Sequence, residues 1–148
     1  LYAGTMWRKR PPAQILRIAE AAVKIGRAAY ANAELGTANS NVLCKSLFNS
    51  ESLYAAALSE SGDFENAIAV LRVAEAPAGA QGWIAEQAKS AESIGLFLEL
   101  QGNTEAAREW TTTAHAAFLA VNDQESANRV ATRLDRIQPE PPASGLGR

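Results

Sequence analysis

An all-α fold of packed helical hairpins is predicted by three features of the sequence. About one residue in five is alanine, the residue with the best intrinsic helix propensity. Proline is absent between Pro12 and Pro139 except at Pro77, so the interior holds almost nothing that would remove a helical N–H or clash with the preceding turn. Apolar residues recur at steps of three and four, and no segment shows the sustained alternation of a half-buried strand. Even Ile68-Ala69-Val70-Leu71 and Thr111-Thr112-Thr113 lie inside longer helical patterns.

Six helices follow in order. The first begins near Pro12, since proline is tolerated in a first turn, and carries the stripe Ile15, Ile18, Ala22, Ile25, Ala29. A second row of Leu16, Val23 and Tyr30 predicts packing on two sides, and Leu35-Gly36 supplies a C-terminal cap. Asn39 or Ser40 is expected to cap the second helix, whose stripe is Leu43, Leu47, Tyr54 and Leu58, ending at Ser61-Gly62. Asp63 caps a third, with Phe64 close by and Ala67, Leu71 and Ala74 on its apolar side. The stretch 76–82, with one proline and two glycines, reads as a linker. The fourth helix runs from about Trp83 with Ile84, Ala88, Ala91, Ile94 and Leu98, and stops at Gln101-Gly102. Asn103 or Thr104 caps the fifth, which carries Ala107, Trp110, Ala114, Phe118 and Val121. After a break at Asn122-Asp123, the sixth carries Ala127, Val130, Leu134 and Ile137. Its Asp123, Glu125, Arg129, Arg133, Asp135 and Arg136 suit the wet outer face of a capping helix. Residues 1–11 are expected to be the remnant of a preceding segment, 12–137 a helical repeat domain, and the proline- and glycine-rich 138–148 a disordered tail.

Composition narrows the function classes. The 148 residues are 47% apolar and 20% charged, ordinary for a folded domain. The net charge of −2 argues against nucleic-acid binding by this chain, because phosphate contacts need clustered basic residues and the only cluster is Arg8-Lys9-Arg10. No apolar run is long enough to span a bilayer, so no membrane partner is expected. The single cysteine, Cys44, excludes an intrachain disulfide and fits a reducing, cytoplasmic setting. One histidine, His115, rules out a multi-histidine metal site, and Cys44 lacks the companion that a structural zinc site needs. Gly79-x-x-Gly82 has no following Lys-Ser/Thr and is no phosphate loop. Glu99, Glu105 and Glu109 read as solvated helix positions, and Cys44 as a small buried residue. These readings predict no catalytic residues, no cofactor and no enzyme activity.

The chain also repeats itself. The segment around Gly62 recurs around Gly102, and at that one offset Leu58 matches Leu98, Asp63 matches Asn103, Glu65 matches Glu105, Ala67 matches Ala107 and Ala74 matches Ala114. Ala55 falls opposite Gly95. Glycine followed by Asp or Asn turns the chain between helices, and the small residues sit where paired helices would touch. The later copy reads Ala91-x-x-Ile94-Gly95-x-x-Leu98 then Ala107-x-x-x-Thr111; the earlier reads Glu51-x-x-Tyr54-Ala55-x-x-Leu58 then Ala67-x-x-x-Leu71, with Pro77 beyond. From about position 40 to about position 120 this resembles the tetratricopeptide repeat (TPR), whose first helix carries Trp-x-x-Leu-Gly-x-x-Tyr and whose second carries Ala-x-x-x-Phe. The pattern's Trp is replaced in both copies, and the period exceeds the usual length of about 34 residues.

The resemblance implies antiparallel helical hairpins stacked as a short, TPR-like, right-handed α-solenoid of about six helices, serving as a protein–protein or peptide interaction scaffold. Lengthened repeats are also similar to those of bacterial regulatory proteins, which implies the alternative of a peptide- or ligand-sensing domain of a transcriptional regulator. In TPR proteins the first helices of successive hairpins line a concave groove. The matching positions here are Asn49, Ser52, Ala56 and Ser59, then Lys89, Glu92, Leu96 and Glu99, with Trp83 either packed or on the rim. Some TPR domains clamp a terminal carboxylate with Lys, Asn and Arg. This set offers only Asn49 and Lys89 beside two glutamates, so that mode is not expected. Because a repeat cannot bury its apolar face alone, the residue 1–35 end is expected to self-associate, with a homodimer as one form.

Overall fold

The computed structural model describes residues 12–33, 38–80 and 82–137, which form six α-helices and, among these residues, no strand. They are α1 (Pro12–Ala31), α2 (Ala38–Glu60), α3 (Phe64–Ala80), α4 (Ile84–Leu100), α5 (Thr104–Ala120) and α6 (Gln124–Arg136). The expected remnant at 1–11, the tail at 138–148 and the Leu35-Gly36 cap lie outside the described residues. No helix is long and apolar enough to cross a membrane among the described residues.

The chain divides after Trp83 into two compact units. In the first, α2 packs on both α1 and α3; in the second, α5 packs on both α4 and α6. Alanines and a few large apolar side chains fill each interior. The first unit buries Cys44, Leu47, Phe48, Ala55, Leu58, Ala67, Leu71 and Ala74. The second closes Ala88, Ala91, Ala114, Phe118, Ala127 and Val130 into one cluster, with Trp110 packed against it. Burying a Leu or Phe contributes about 1.5–3 kcal/mol, so Leu71 and Phe118, nearly inaccessible, are leading contributors.

One turn is built three times. At Gly62, Gly102 and Asn122 the backbone adopts φ of 85°, 81° and 58°. This left-handed conformation costs glycine nothing and asparagine little. The following residue's N–H bonds back to the carbonyl that opens the last helical turn: Asp63 to Leu58 at 2.9 Å, Asn103 to Leu98 at 2.9 Å, Asp123 to Phe118 at 3.0 Å. The left-handed residue itself donates to Ser59, Glu99 and Leu119 respectively. That pair of bonds is the Schellman motif, which satisfies carbonyls a helix end would otherwise leave open. The same Asp63, Asn103 and Asp123 then cap the next helix, their side-chain oxygens accepting from the N–H of Asn66, Ala106 and Ser126. Four positions on, Ala67, Ala107 and Ala127 are each fully buried. A fourth left-handed residue, Gly82, falls midway between 62 and 102. The turns at 62, 82, 102 and 122 are therefore evenly spaced, because α3, α4 and α5 share one length and are joined by links of one length.

Several expectations need correction. The stretch 76–82 is not a linker: α3 continues through Pro77 and Gly79 to Ala80. A proline near a helix end forfeits one backbone bond, and the alanines at 76, 78 and 80 favour helix around it. Neither Asn39 nor Ser40 caps α2, which is already helical at Ala38. The fourth helix starts at Ile84, with Trp83 just outside it. On α1 the two rows exchange roles. Ala19 and Val23 are buried, whereas Ile18, Ala22 and Ile25 of the expected stripe are exposed. Gly26 explains the choice, since a Cβ there would lie 3.1 Å from Leu47 Cδ1; the glycine lets α2 seat against this side.

Candidate functional site

The groove positions divide between the units. Asn49, Ser52 and Ser59 on α2, with Trp83, belong to the first. Asn49 and Ala56 are exposed. The two serines are turned inward on their own helix: Ser52 Oγ donates to the Phe48 carbonyl at 2.9 Å and Ser59 Oγ to that of Ala56 at 2.7 Å. Such back-bonding occupies the hydroxyl proton and leaves a lone pair facing outward. Trp83 is half-buried against Phe48 and Ala74, so packing accounts for it.

Lys89, Glu92, Leu96 and Glu99 lie on α4 at steps of three and four, hence on one helix face. Lys89 is exposed; Leu96 and Glu99 are half-buried. Glu92 is the centre of the arrangement. Its carboxylate accepts from Arg129 Nε and Nη2 of α6, both at 2.9 Å, and Arg133 Nη1 stands 3.8 Å away. Two parallel N–H···O bonds are the strong, geometrically specific form of an arginine–carboxylate pair. Behind it, the Arg129 guanidinium carbon lies 6.0 Å from the Phe118 ring centroid, within cation–π range. The hydrogen bonds to Glu92 and its opposing charge hold Arg129 firmly protonated. At the start of α6, hydrogen bonds from Ser126 depress the Asp123 carboxyl, helped by the positive charges of Arg129 and Lys89.

The sequence pattern places Arg129 and Arg133 on a wet outer face; Arg129 is half-exposed as expected, and for Arg133 the structure corrects this. Arg133 is largely buried, its side chain 14% exposed, and Arg129 is committed to α4. The partner itself is not written in the local sequence of α6, because that carboxylate lies far earlier in the chain, on α4. The pattern does hold a weaker signal: Arg129 and Arg133 are four apart and flank the buried Val130, so they share one edge of the packed face.

The first unit has its own buried polar group. Glu51 is 2% exposed and accepts from Arg27 Nε at 2.8 Å. Burial raises the Glu51 carboxyl above the ordinary glutamate value, and the Arg27 hydrogen bond and charge oppose that rise. Nearby, burial pushes the Tyr30 hydroxyl and the Cys44 thiol above their ordinary values. Cys44 is itself 2% exposed and packs as a small residue of the first unit's interior. A hollow along the start of α5, beside Asn103, Thr104, Arg108 and Thr112, is lined by none of the groove positions. No family model matches the chain, and neither a curated protein nor a solved structure is measurably similar to it.

Proposed function

We propose that the chain is a TPR-like interaction module whose α4 face, flanked by α6, receives a segment of another polypeptide. The observation that carries this reading is the thrice-built turn at 62, 102 and 122, each followed by a fully buried alanine. A reiterated turn with small residues at the contact is the signature of helical-repeat proteins, whose repeats stack as antiparallel hairpins and bind along one side. The α4 face mixes a cation, a carboxylate and an aliphatic residue in Lys89, Glu92 and Leu96, the mixture that peptide recognition by a helical groove uses.

The test is capture of partners from a source lysate by the intact chain, compared with Leu96→Asp and Lys89→Ala forms of unchanged melting temperature. A stoichiometric protein captured by the native chain and lost from the Leu96→Asp form supports the reading. Equal capture by all three forms moves the binding surface elsewhere. Absence of any protein partner overturns the module assignment.

A further inference from the structure

The Arg129–Glu92–Arg133 cluster is unevenly satisfied. Arg129, half-exposed, takes both carboxylate oxygens. Arg133 keeps Nε and Nη1 buried with no hydrogen-bond partner among the described residues, although its Nη1 is only 3.8 Å from Glu92 Oε1. A buried donor without an acceptor is costly and calls for an explanation. A small rotation of Glu92 would convert that close approach into a bond, and would release Arg129.

We propose that this cluster is a carboxylate-binding site working by exchange: a carboxylate of a peptide partner takes the exposed Arg129 guanidinium while Glu92 passes to Arg133. The proposal rests on the interaction-module reading and names the chemistry recognised. Two observations select the ligand class. A planar guanidinium backed by the Phe118 ring presents parallel donors that match a carboxylate. Asp123 and Glu125 also act on Arg129, so the surroundings tolerate one negative charge better than the two of a phosphate. Exchange keeps every carboxylate paired. The ligand replaces Glu92 on Arg129, and the displaced Glu92 meets donors that had none. A ligand shifts such an equilibrium only by what it gains in the exchanged state, and here Arg133 supplies part of that gain.

The test titrates the isotope-labelled intact chain with three acetylated alanine pentapeptides. One is amidated with a central glutamate, one is amidated with a central glutamine, and one ends in a free carboxylate. The readouts are the Arg129 and Arg133 side-chain Nε–H signals and the dissociation constants. Saturable shifts of both signals with a carboxylate peptide, absent with the glutamine peptide, are expected. Which carboxylate peptide binds more tightly distinguishes a side chain from a chain terminus as the source. Arg129→Gln abolishes binding. Arg133→Gln weakens it about fivefold in the native background, and has little effect beside Glu92→Gln, because no carboxylate is then left to hand over. Equal weakening by Arg133→Gln in both backgrounds means simple attraction and overturns exchange. Tighter binding of inorganic phosphate than of either carboxylate peptide overturns the ligand class. A captured protein partner indifferent to Arg129→Gln overturns this site while leaving the module standing; melting curves of each variant confirm that it folds.

Discussion

The α2–α3 and α4–α5 pairs are joined by the same turn at matching positions, yet they solve their contact differently. In the first, Ala55 and Leu71 meet the interior, both nearly inaccessible. In the second, the matching positions are Gly95 and Thr111. A Cβ at residue 95 would lie 2.5 Å from Thr111 Oγ1, 3.2 Å from Thr111 N and 3.3 Å from the Ala107 carbonyl oxygen. The Thr111 hydroxyl is not orphaned by burial, since it donates to that Ala107 carbonyl at 2.6 Å. One pair therefore fills its contact with side-chain volume, and the other brings backbone against backbone. A shared turn fixes where helices meet, while residue size at the meeting point fixes how closely.

The largest expected effect tests where each unit stores its stability. Phe118 is 1% exposed and central to the cluster that ties α4, α5 and α6. Phe118→Ala should destabilise by about 3–5 kcal/mol through lost burial and the cavity left behind. Urea denaturation followed by circular dichroism reads the shift in midpoint. A cost below that of an exposed truncation such as Leu119→Ala would mean the cluster is not the second unit's core.

A sharper probe swaps the contact residues. Gly95→Ala should cost about 1–3 kcal/mol, because two of the three atoms it meets are backbone and cannot step aside. The reciprocal Ala55→Gly should cost about 1 kcal/mol, the helix-propensity difference plus a small void. If Gly95→Ala instead stabilises, as a glycine-to-alanine change does in an unobstructed helix, the close approach of α4 to α5 is wrong.

The same contrast shows what sequence reasoning reaches. Gly62 and Gly102 are readable as turns because a left-handed residue followed by a cap is a local requirement, written in adjacent residues. The Gly82 turn is hidden inside a proline- and glycine-bearing stretch that resembles a linker, although α3 extends through most of it. On α1, two apolar rows are visible, but which one is covered depends on Gly26 admitting Leu47, a tertiary fact. The candidate site is half legible. The repeat points to Glu92 and its neighbours on α4, whereas Arg129 and Arg133 gain their role from pairing with a helix two elements earlier in the chain.

The smallest expected effect concerns the same register read at its polar end. Position 51 corresponds to position 91 when Gly62 is laid on Gly102; the first pair buries a glutamate there and the second an alanine. Glu51 has one half-exposed partner, Arg27, and burial raises its carboxyl above the ordinary value. A carboxyl raised in the folded state binds its proton more tightly than in the unfolded chain. Its contribution to stability is therefore fully present below the unfolded value and is lost as pH rises through the raised folded value. Glu51→Gln keeps an oxygen for Arg27 Nε but has no proton to bind. The native chain should thus gain stability relative to Glu51→Gln as pH falls from about 7 to about 4, with the variant equal or better at neutral pH. Melting temperatures of the two proteins, subtracted at each pH, cancel the other carboxylates. A difference that stays flat would mean that Arg27 fully offsets the burial of Glu51, and one of opposite slope would mean that the ion pair outweighs it.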